Sequence, residues 1–255
     1  MDSIVKWKRP FELLRGKWGE VPTTKMGRGR TVDLLRLSDG ELLKRWTEAY
    51  RDTSLGSRFR IRGWYQTLYA DSMKGKKVLD IGCGLGIDGI TFAERGAKVT
   101  FVDLATSNIE LVRRVCGIKR LSDVDFMVMD DVDTLRSLAK DYDYVMAIGS
   151  LHNAPFEVLK PEADELLRHL RPGGRWLQLA YPESRWIREG RLPFEQWGGK
   201  TDGENTPLVE WYDLPKLTDL LSSGRFRTVL CCEFHDSDYI WFDLLYEGPA
   251  EGTAC

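Results

Sequence analysis

The chain reads as an α/β protein with a doubly wound, mostly parallel sheet, preceded by a helical N-terminal arm. Three observations predict this. From Lys77 onward short apolar runs alternate with amphipathic stretches, the pattern of parallel strands joined by right-handed crossovers. The first run, Lys77-Val78-Leu79-Asp80-Ile81, passes directly into the glycine-rich turn Gly82-Cys83-Gly84-Leu85-Gly86 and then into a helix. Residues 1–70 lack the alternation and are rich in tryptophan and arginine.

In the arm, Lys25–Arg30 carries two glycines and three cations and reads as a mobile basic loop. Ser38-Asp39-Gly40-Glu41 then offers a helix cap with an acid three residues on, after which Leu42, Leu43, Trp46 and Tyr50 recur at helical spacing. A second helix is expected around Gly63–Ala70. Beyond it the pattern predicts strands at 77–81, 98–103, 124–129, 142–148 and 174–180, with helices near 87–95, 107–115, 133–140 and 160–170. Pro172-Gly173-Gly174 reads as the turn feeding the fifth strand. A helix at 213–222 leads to Arg225–Phe234 and Tyr239–Tyr246, which the polar link His235-Asp236-Ser237-Asp238 joins as an antiparallel pair. The expected organisation is an arm at 1–70, a domain at 71–247 with an insertion at 182–212, and a disordered tail at 248–255.

With 255 residues the chain has room for one well-filled α/β domain and an appendage. Its formal charge of −2 gives no global basic field, so no nucleic-acid partner is expected. No apolar run approaches the roughly 20 residues that span a bilayer, and Met1–Pro10 has no secretory apolar core, so a soluble cytoplasmic protein is expected, with no membrane partner. The five cysteines include no C-x-x-C pair, which suits reduced thiols. Cys83 has no base beside it in sequence and reads as a small loop residue, not a nucleophile.

The glycines at positions 82, 84 and 86 let the backbone adopt positive φ and let a ligand approach the main chain, while the following helix directs its first N–H groups toward the same space. Gly84-x-Gly86-x-x-Gly89 also satisfies the dinucleotide fingerprint, a weak signal on its own. The surrounding charges decide against it. Asp80, Asp88, Asp103 and the pair Asp130-Asp131 cluster at predicted strand ends and in the first helical turn, where they would repel a pyrophosphate and attract a cation.

The run Val78–Gly86, then Phe101-Val102-Asp103, Met129-Asp130-Asp131, Asp143-Tyr144-Val145 through Leu151-His152, and Leu170-Arg171-Pro172-Gly173-Gly174 resembles, in order and spacing, the class I Rossmann-like S-adenosylmethionine-dependent methyltransferases of small molecules. The resemblance covers roughly residues 74 to 182. It implies a seven-stranded sheet with one antiparallel strand, which the strand count fits, and S-adenosylmethionine as cofactor.

Residue by residue, the resemblance implies that Asp80, with Gly82, Cys83 and Gly84, meets the methionine end of the cofactor, and that Gly149 at the fourth strand's end approaches the same part. Asp103, 17 residues after Gly86, accepts from both ribose hydroxyls, with Leu104 beside it. Asp130 sits where relatives hold the adenine amino group, although the adjacent Asp131 leaves the choice between them open. His152, just past the fourth strand, is the candidate general base, since a neutral imidazole suits deprotonation of a hydroxyl acceptor. In a rival reading it packs or holds the loop.

Trp64 and Tyr65 of the arm, His152, and Tyr181, Arg185, Trp186, Trp197 and Trp211 at or in the insertion are candidate acceptor contacts, because flat rings stack while charged groups hydrogen-bond. Packing of the arm and protein contact through the insertion are the competing explanations. His235, Asp236 and Asp238 have metal-binding chemistry, but a hairpin tip explains them with less and no metal is expected; His169 reads as a surface residue. Gly149-Ser150-Leu151-His152-Asn153-Ala154-Pro155 lacks the Asn/Asp-Pro-Pro-aromatic motif of adenine and glutamine methylation. The expected activity is methyl transfer to a small polar acceptor, favouring an oxygen of a saccharide or similar metabolite, by a protein that forms a homodimer. The alternatives are small-molecule N-methylation, a non-catalytic cofactor-binding interaction protein, or a dinucleotide oxidoreductase.

Overall fold

Ser38 and Glu41 start the longest arm helix as their spacing requires: each side chain bonds the other's backbone N–H, a reciprocal cap. The computed structural model describes residues 9–24 and 27–250. Its elements in order are α1 (Pro10–Trp18), β1 (Glu20–Thr24), β2 (Gly27–Arg30), α2 (Thr31–Leu34), α3 (Asp39–Ser54), α4 (Trp64–Met73), β3 (Lys77–Ile81), α5 (Ile87–Ala93), β4 (Lys98–Asp103), α6 (Thr106–Ile118), β5 (Val124–Val128), β6 (Tyr142–Ile148), α7 (Phe156–Leu167), β7 (Leu170–Ala180), α8 (Glu183–Arg188), α9 (Phe194–Thr201), α10 (Leu214–Leu220), β8 (Gly224–Phe234) and β9 (Tyr239–Pro249). A π-helical turn at Phe59–Gly63 feeds α4.

Strands β3 to β9 form a seven-stranded sheet of order β5-β4-β3-β6-β7-β9-β8, in which β9 is antiparallel to both of its neighbours. This is the expected fold class. Two compact units divide the chain: Trp18–Met129, and Asp130 onward together with the segment up to Lys17.

In the Trp18–Met129 unit, β3, β4 and β5 are parallel, with Asp80 opposite Phe101 and Asp103 opposite Val128. Val78, Leu79, Phe101 and Val102 are buried, as near-continuous apolar runs in a sheet covered on both faces should be. Helix α6 buries Ile109, Leu111, Val112 and Val115, its i, i+3, i+4 stripe. Arm helix α3 buries Leu42, Trp46 and Ala49, and the Trp46 indole donates to the Leu85 carbonyl of the glycine-rich turn at 2.9 Å.

In the second unit, β6 and β7 are parallel and β7, β9 and β8 antiparallel, with Trp176, Leu177, Trp241, Phe242 and Leu244 fully buried. Asp243, buried in β9, is held by both nitrogens of a facing Arg175 fork.

Several expectations need correction. Gly27–Arg30 is a strand paired with β1, not a mobile loop, because Gly29 and Arg28 face Val21 and Pro22 across the hairpin; residues 25–26 lie outside the described residues. Helix α7 begins at Phe156, after Pro155, and carries Pro161 inside it. The segment expected as a helix at 133–140 is a 3-10 turn at Val132–Ser137, ended by an extended Leu138. Strand β7 starts at Leu170 and takes Pro172-Gly173-Gly174 within it as an irregularity, with Gly173 at φ 81°.

His169 is buried, not superficial. Its Nδ1 lies 3.0 Å from the Ala139 carbonyl because the chain turns inward between the end of α7 and β7. Gly248 and Pro249, expected in a disordered tail, extend β9, paired with Arg225 and Gly224; residues 251–255 lie outside the described residues, as does Trp7.

Candidate functional site

In the Trp18–Met129 unit the site grows from the C-terminal ends of β3 and β4. The turn after β3 is held by Gly82 and Cys83 N–H groups donating to the Val102 carbonyl at 2.8 and 3.2 Å. Gly86, at φ 66°, closes the turn as it enters α5. A Cβ there would meet both Val112 methyls at about 3 Å, so sterics and backbone conformation both demand glycine.

Asp103 ends β4 almost fully buried. One carboxylate oxygen accepts from the Ala105 N–H at 2.8 Å and the Asn108 amide at 3.1 Å; the other accepts from the Gly84 N–H at 2.9 Å. The Cys83 thiol lies 4.0 Å from that second oxygen. Burial raises Asp103 above the usual carboxylate range against these hydrogen bonds, and burial with the Asp103 charge pushes the Cys83 thiol well up, so it stays protonated. Cys83 is a packed loop residue.

Asp80 is 3% exposed, and burial, reinforced by the Asp88 carboxylate, pushes it up to about 8; Arg62 opposes this. Asp88, in the first turn of α5, pairs with Arg62 and accepts from the Tyr65 hydroxyl at 2.9 Å and the Gln66 amide at 2.7 Å. The π-helical turn and α4 thus fasten to the first turn of α5. Tyr65 is 1% exposed with its hydroxyl committed to Asp88, and Trp64 meets it edge-on at 5.6 Å.

In the second unit, Asp130 and Asp131 are both exposed and do different work. Asp131 caps the 3-10 turn, accepting from the Thr134 N–H at 3.0 Å. Asp130 pairs with Arg15 at 3.3 Å. Gly149, at φ 70°, leaves β6 with its N–H on the Leu179 carbonyl.

His152 follows in a tight turn and is 2% exposed. Neither ring nitrogen has a hydrogen-bond partner among the described residues. Burial pushes the imidazole down to about 4; the Asp202 charge opposes this and Arg185 adds to it. The ring stacks on Tyr181, whose hydroxyl donates to Asp202 at 3.3 Å and whose face carries the Arg185 guanidinium at 4.5 Å. Backbone bonds from Glu210 N–H to the His152 carbonyl and from Tyr212 N–H to the Tyr181 carbonyl, both 2.8 Å, lay the end of the insertion along these residues.

The structure therefore brings together six predicted acceptor contacts: His152, Tyr181, Arg185, Trp186, Trp197 and Trp211. Trp197 is fully buried against Tyr181 and donates to Glu189 at 2.7 Å, whereas Trp186 and Trp211 are half-buried, 6.1 Å apart. The Trp211 indole N–H is buried without a partner among the described residues. Trp64 and Tyr65 belong to the other unit.

His235, Asp236 and Ser237 form three successive left-handed residues at the β8–β9 turn. Arg188 donates to the Asp236 carbonyl at 2.8 Å and Arg185 to the Asp238 carbonyl at 3.2 Å. His235 lies 3.2 Å from Asp238, so these polar groups hold the turn itself. Among the described residues no group of three or more His, Cys, Asp or Glu is placed to hold a metal.

Sequence reasoning did not assign Arg62, Gln66, Asn108, Asp202 or Tyr239. The one available signal was Asn108, a polar residue one helical turn past Asp103 on a stripe otherwise apolar.

Residues 78–174 match the family described as a methyltransferase domain. Among curated proteins, a ubiquinone biosynthesis O-methyltransferase of Idiomarina loihiensis is 32% identical over 107 residues, 42% of this chain and 43% of that relative. The chain thus spans less than half the length of the curated relatives it matches. Among solved structures, the N-methyltransferase NodS of Bradyrhizobium japonicum, crystallised with S-adenosyl-L-homocysteine, aligns with a TM-score of 0.56 at 18% identity, over 83% of this chain and 99% of that one. A putative O-methyltransferase of Nostoc punctiforme aligns with a TM-score of 0.58 at 14% identity, over 94% of this chain and 67% of that one. These structural likenesses concern the fold. No helix among the described residues is long and apolar enough to cross a membrane.

Proposed function

We propose that the protein, whose residues 78–174 match a methyltransferase domain, is a class I S-adenosylmethionine-dependent enzyme that methylates an oxygen of a small, polar, ring-bearing acceptor, with His152 as the general base. The donor set fits the cofactor. Asp103 offers a buried carboxyl group to the ribose hydroxyls, and Asp80, pushed up to about 8 by burial, would release its proton to solvent and pair as a carboxylate with an arriving ammonium. Gly82, Cys83, Gly84 and Leu104 supply the close backbone, with Gly149 assigned to the methionine end. On the resemblance, Asp130 is assigned to the adenine amino group, with Asp131, which caps its own turn, as the alternative. When bound, the cofactor supplies a methyl on a sulfonium leaving group, so the chain's task is to hold the nucleophile in line and receive its proton.

One observation carries the acceptor assignment: a buried imidazole with both nitrogens unpartnered among the described residues. A buried polar group left without a partner costs about 1–3 kcal/mol, a cost an acceptor hydroxyl would remove. With its imidazole down at about 4, His152 is neutral at pH 7 and has a lone pair for that hydroxyl. Tyr181, Trp186 and Trp211 offer ring faces, and Arg185 offers charge beside them. The relatives named O-methyltransferases support oxygen over nitrogen.

The test is His152→Ala, assayed with labelled cofactor against a panel of phenols, sugars and amines. Turnover is expected to fall by about 10²-fold or more, with S-adenosylhomocysteine affinity preserved. Unchanged turnover removes the base, and tight cofactor binding with transfer to nothing supports a binding protein instead.

A further inference from the structure

The Asp103 carboxylate is oriented by a side chain that also holds the arm. The Asn108 amide nitrogen donates both hydrogens, one to Asp103 at 3.1 Å and one to the Trp18 carbonyl at 2.9 Å. Its carbonyl oxygen accepts from the Thr31 hydroxyl at 2.7 Å. Asn108 and Thr31 are 1% and 0% exposed, so no water competes for these bonds. The arrangement has one polarity: a flipped amide would set its oxygen against a carboxylate and a carbonyl, and its nitrogen against a hydroxyl donor. Around it, the Thr31 N–H bonds the Gly19 carbonyl at 2.9 Å, closing the hairpin of β1 and β2, and a Cβ built on Gly84 would touch Val21 of that hairpin at 3.9 Å.

The carboxylate has about four acceptor positions. Two are taken by the fixed N–H groups of Ala105 and Gly84, Asn108 takes a third, and the Leu104 backbone N–H bonds the acid as well. Ribose hydroxyls can donate to this carboxylate only as one of these bonds yields, and Asn108, the one side-chain amide among the donors, is the one able to move.

We propose that Asn108 is the positioning residue for the cofactor's ribose, setting the Asp103 carboxylate for the two hydroxyls and passing its occupancy to the β1–β2 hairpin through Trp18 and Thr31. This inference rests on the assignment of Asp103 to the ribose. It goes beyond that assignment in naming the residue that orients the acid and the segment that responds.

The experiment measures binding of S-adenosylhomocysteine and of its 2′,3′-dideoxyribose analogue to the full chain and to Asn108→Ala, Thr31→Val and Asp103→Asn. The unsubstituted protein is expected to prefer the natural ribose by about 100-fold, the scale of two hydrogen bonds to a charged acceptor. Asn108→Ala and Thr31→Val are expected to shrink that preference to about 10-fold or less, weakening the ribose ligand while leaving the dideoxy ligand nearly unchanged. Hydrogen exchange at Gly19 and Thr31–Leu34 is expected to change on adding S-adenosylhomocysteine to the unsubstituted protein and not to Thr31→Val. A merely structural role would weaken both ligands equally and keep the full preference, which overturns the proposal. Should Asn108→Ala fail to fold, Thr31→Val, which leaves Asn108 in place, decides alone. If Asp103→Asn retains the full preference, the ribose assignment itself has failed, a result distinct from preserved preference in the Asn108 and Thr31 variants only.

Discussion

The Tyr181 ring lies on the His152 imidazole with centroids 4.9 Å apart and planes inclined by 28°, and its hydroxyl reaches Asp202. One face of the imidazole is thereby sealed from water, and the nearby anion partly offsets the proton-repelling effect of burial and of Arg185. Replacing Asp202 by Asn should move the imidazole still lower than about 4. The sequence has three histidines, so a histidine-selective NMR titration reads the shift directly. An unmoved His152 resonance would show that Asp202 does not act on it.

Asp80 and His152 should tilt the stability–pH curve in opposite senses. Asp80, ordinarily near 3.8 and here about 8, holds a proton in the fold that the unfolded chain has released; its contribution is full below 3.8 and lost as pH rises through 8. His152, ordinarily near 6.5 and here about 4, refuses a proton the unfolded chain accepts, so stability is lost as pH falls from 6.5 through 4. Burial also pushes Glu162 up to about 7, adding to the first decline between 4.5 and 7. Denaturant melts at fixed pH should show Asp80→Asn flattening the decline between about pH 4 and 8 and His152→Gln flattening the acid slope.

Arg62→Ala leaves Asp88, a side chain 5% exposed, facing Tyr65 and Gln66 without its cation. The expected loss is about 3 kcal/mol, typical of breaking one side of a buried pair. The double variant with Asp88→Asn should recover part of it. Urea unfolding of the two single variants and the double variant measures the coupling; additive losses would mean that the pair contributes nothing.

Gly89→Ala would drive a methyl into Phe101 and the Asp80 carboxylate. Phe101 is fully buried and stacked on Phe126 at 5.7 Å, so neither neighbour yields easily. We expect a destabilisation of about 1–3 kcal/mol together with weaker S-adenosylhomocysteine binding, followed by calorimetry. A variant with unchanged melting temperature and affinity would contradict the packing described for α5.

What could be read from the chain followed from periodicity. Runs such as Val78–Ile81 and Tyr144–Ile148 admit few alternatives to a buried strand, and the acids Asp80 and Asp103 lie in such strands, β3 and β4. Proline stands inside two elements: the helix expected near 160–170 begins at Phe156, so Pro161 lies within α7, whose start Pro155 sets. Pro172-Gly173-Gly174 reads as a turn yet is absorbed by β7. His169 looked superficial because its burial depends on Ala139, thirty residues away. Asn108, Gln66 and Asp202 were not legible as a set, since their roles depend on partners brought close by tertiary structure alone.

The β8–β9 turn makes a practical point about transplanting parts of this molecule. Its three consecutive left-handed residues keep their shape while Arg185 and Arg188 reach across from α8 to the carbonyls of Asp238 and Asp236. A chimera that imports a foreign 182–212 would remove both clamps and leave the native hairpin without its mould. The interchangeable cassette is therefore discontinuous, and replacing the insertion means carrying residues 234–239 along with it.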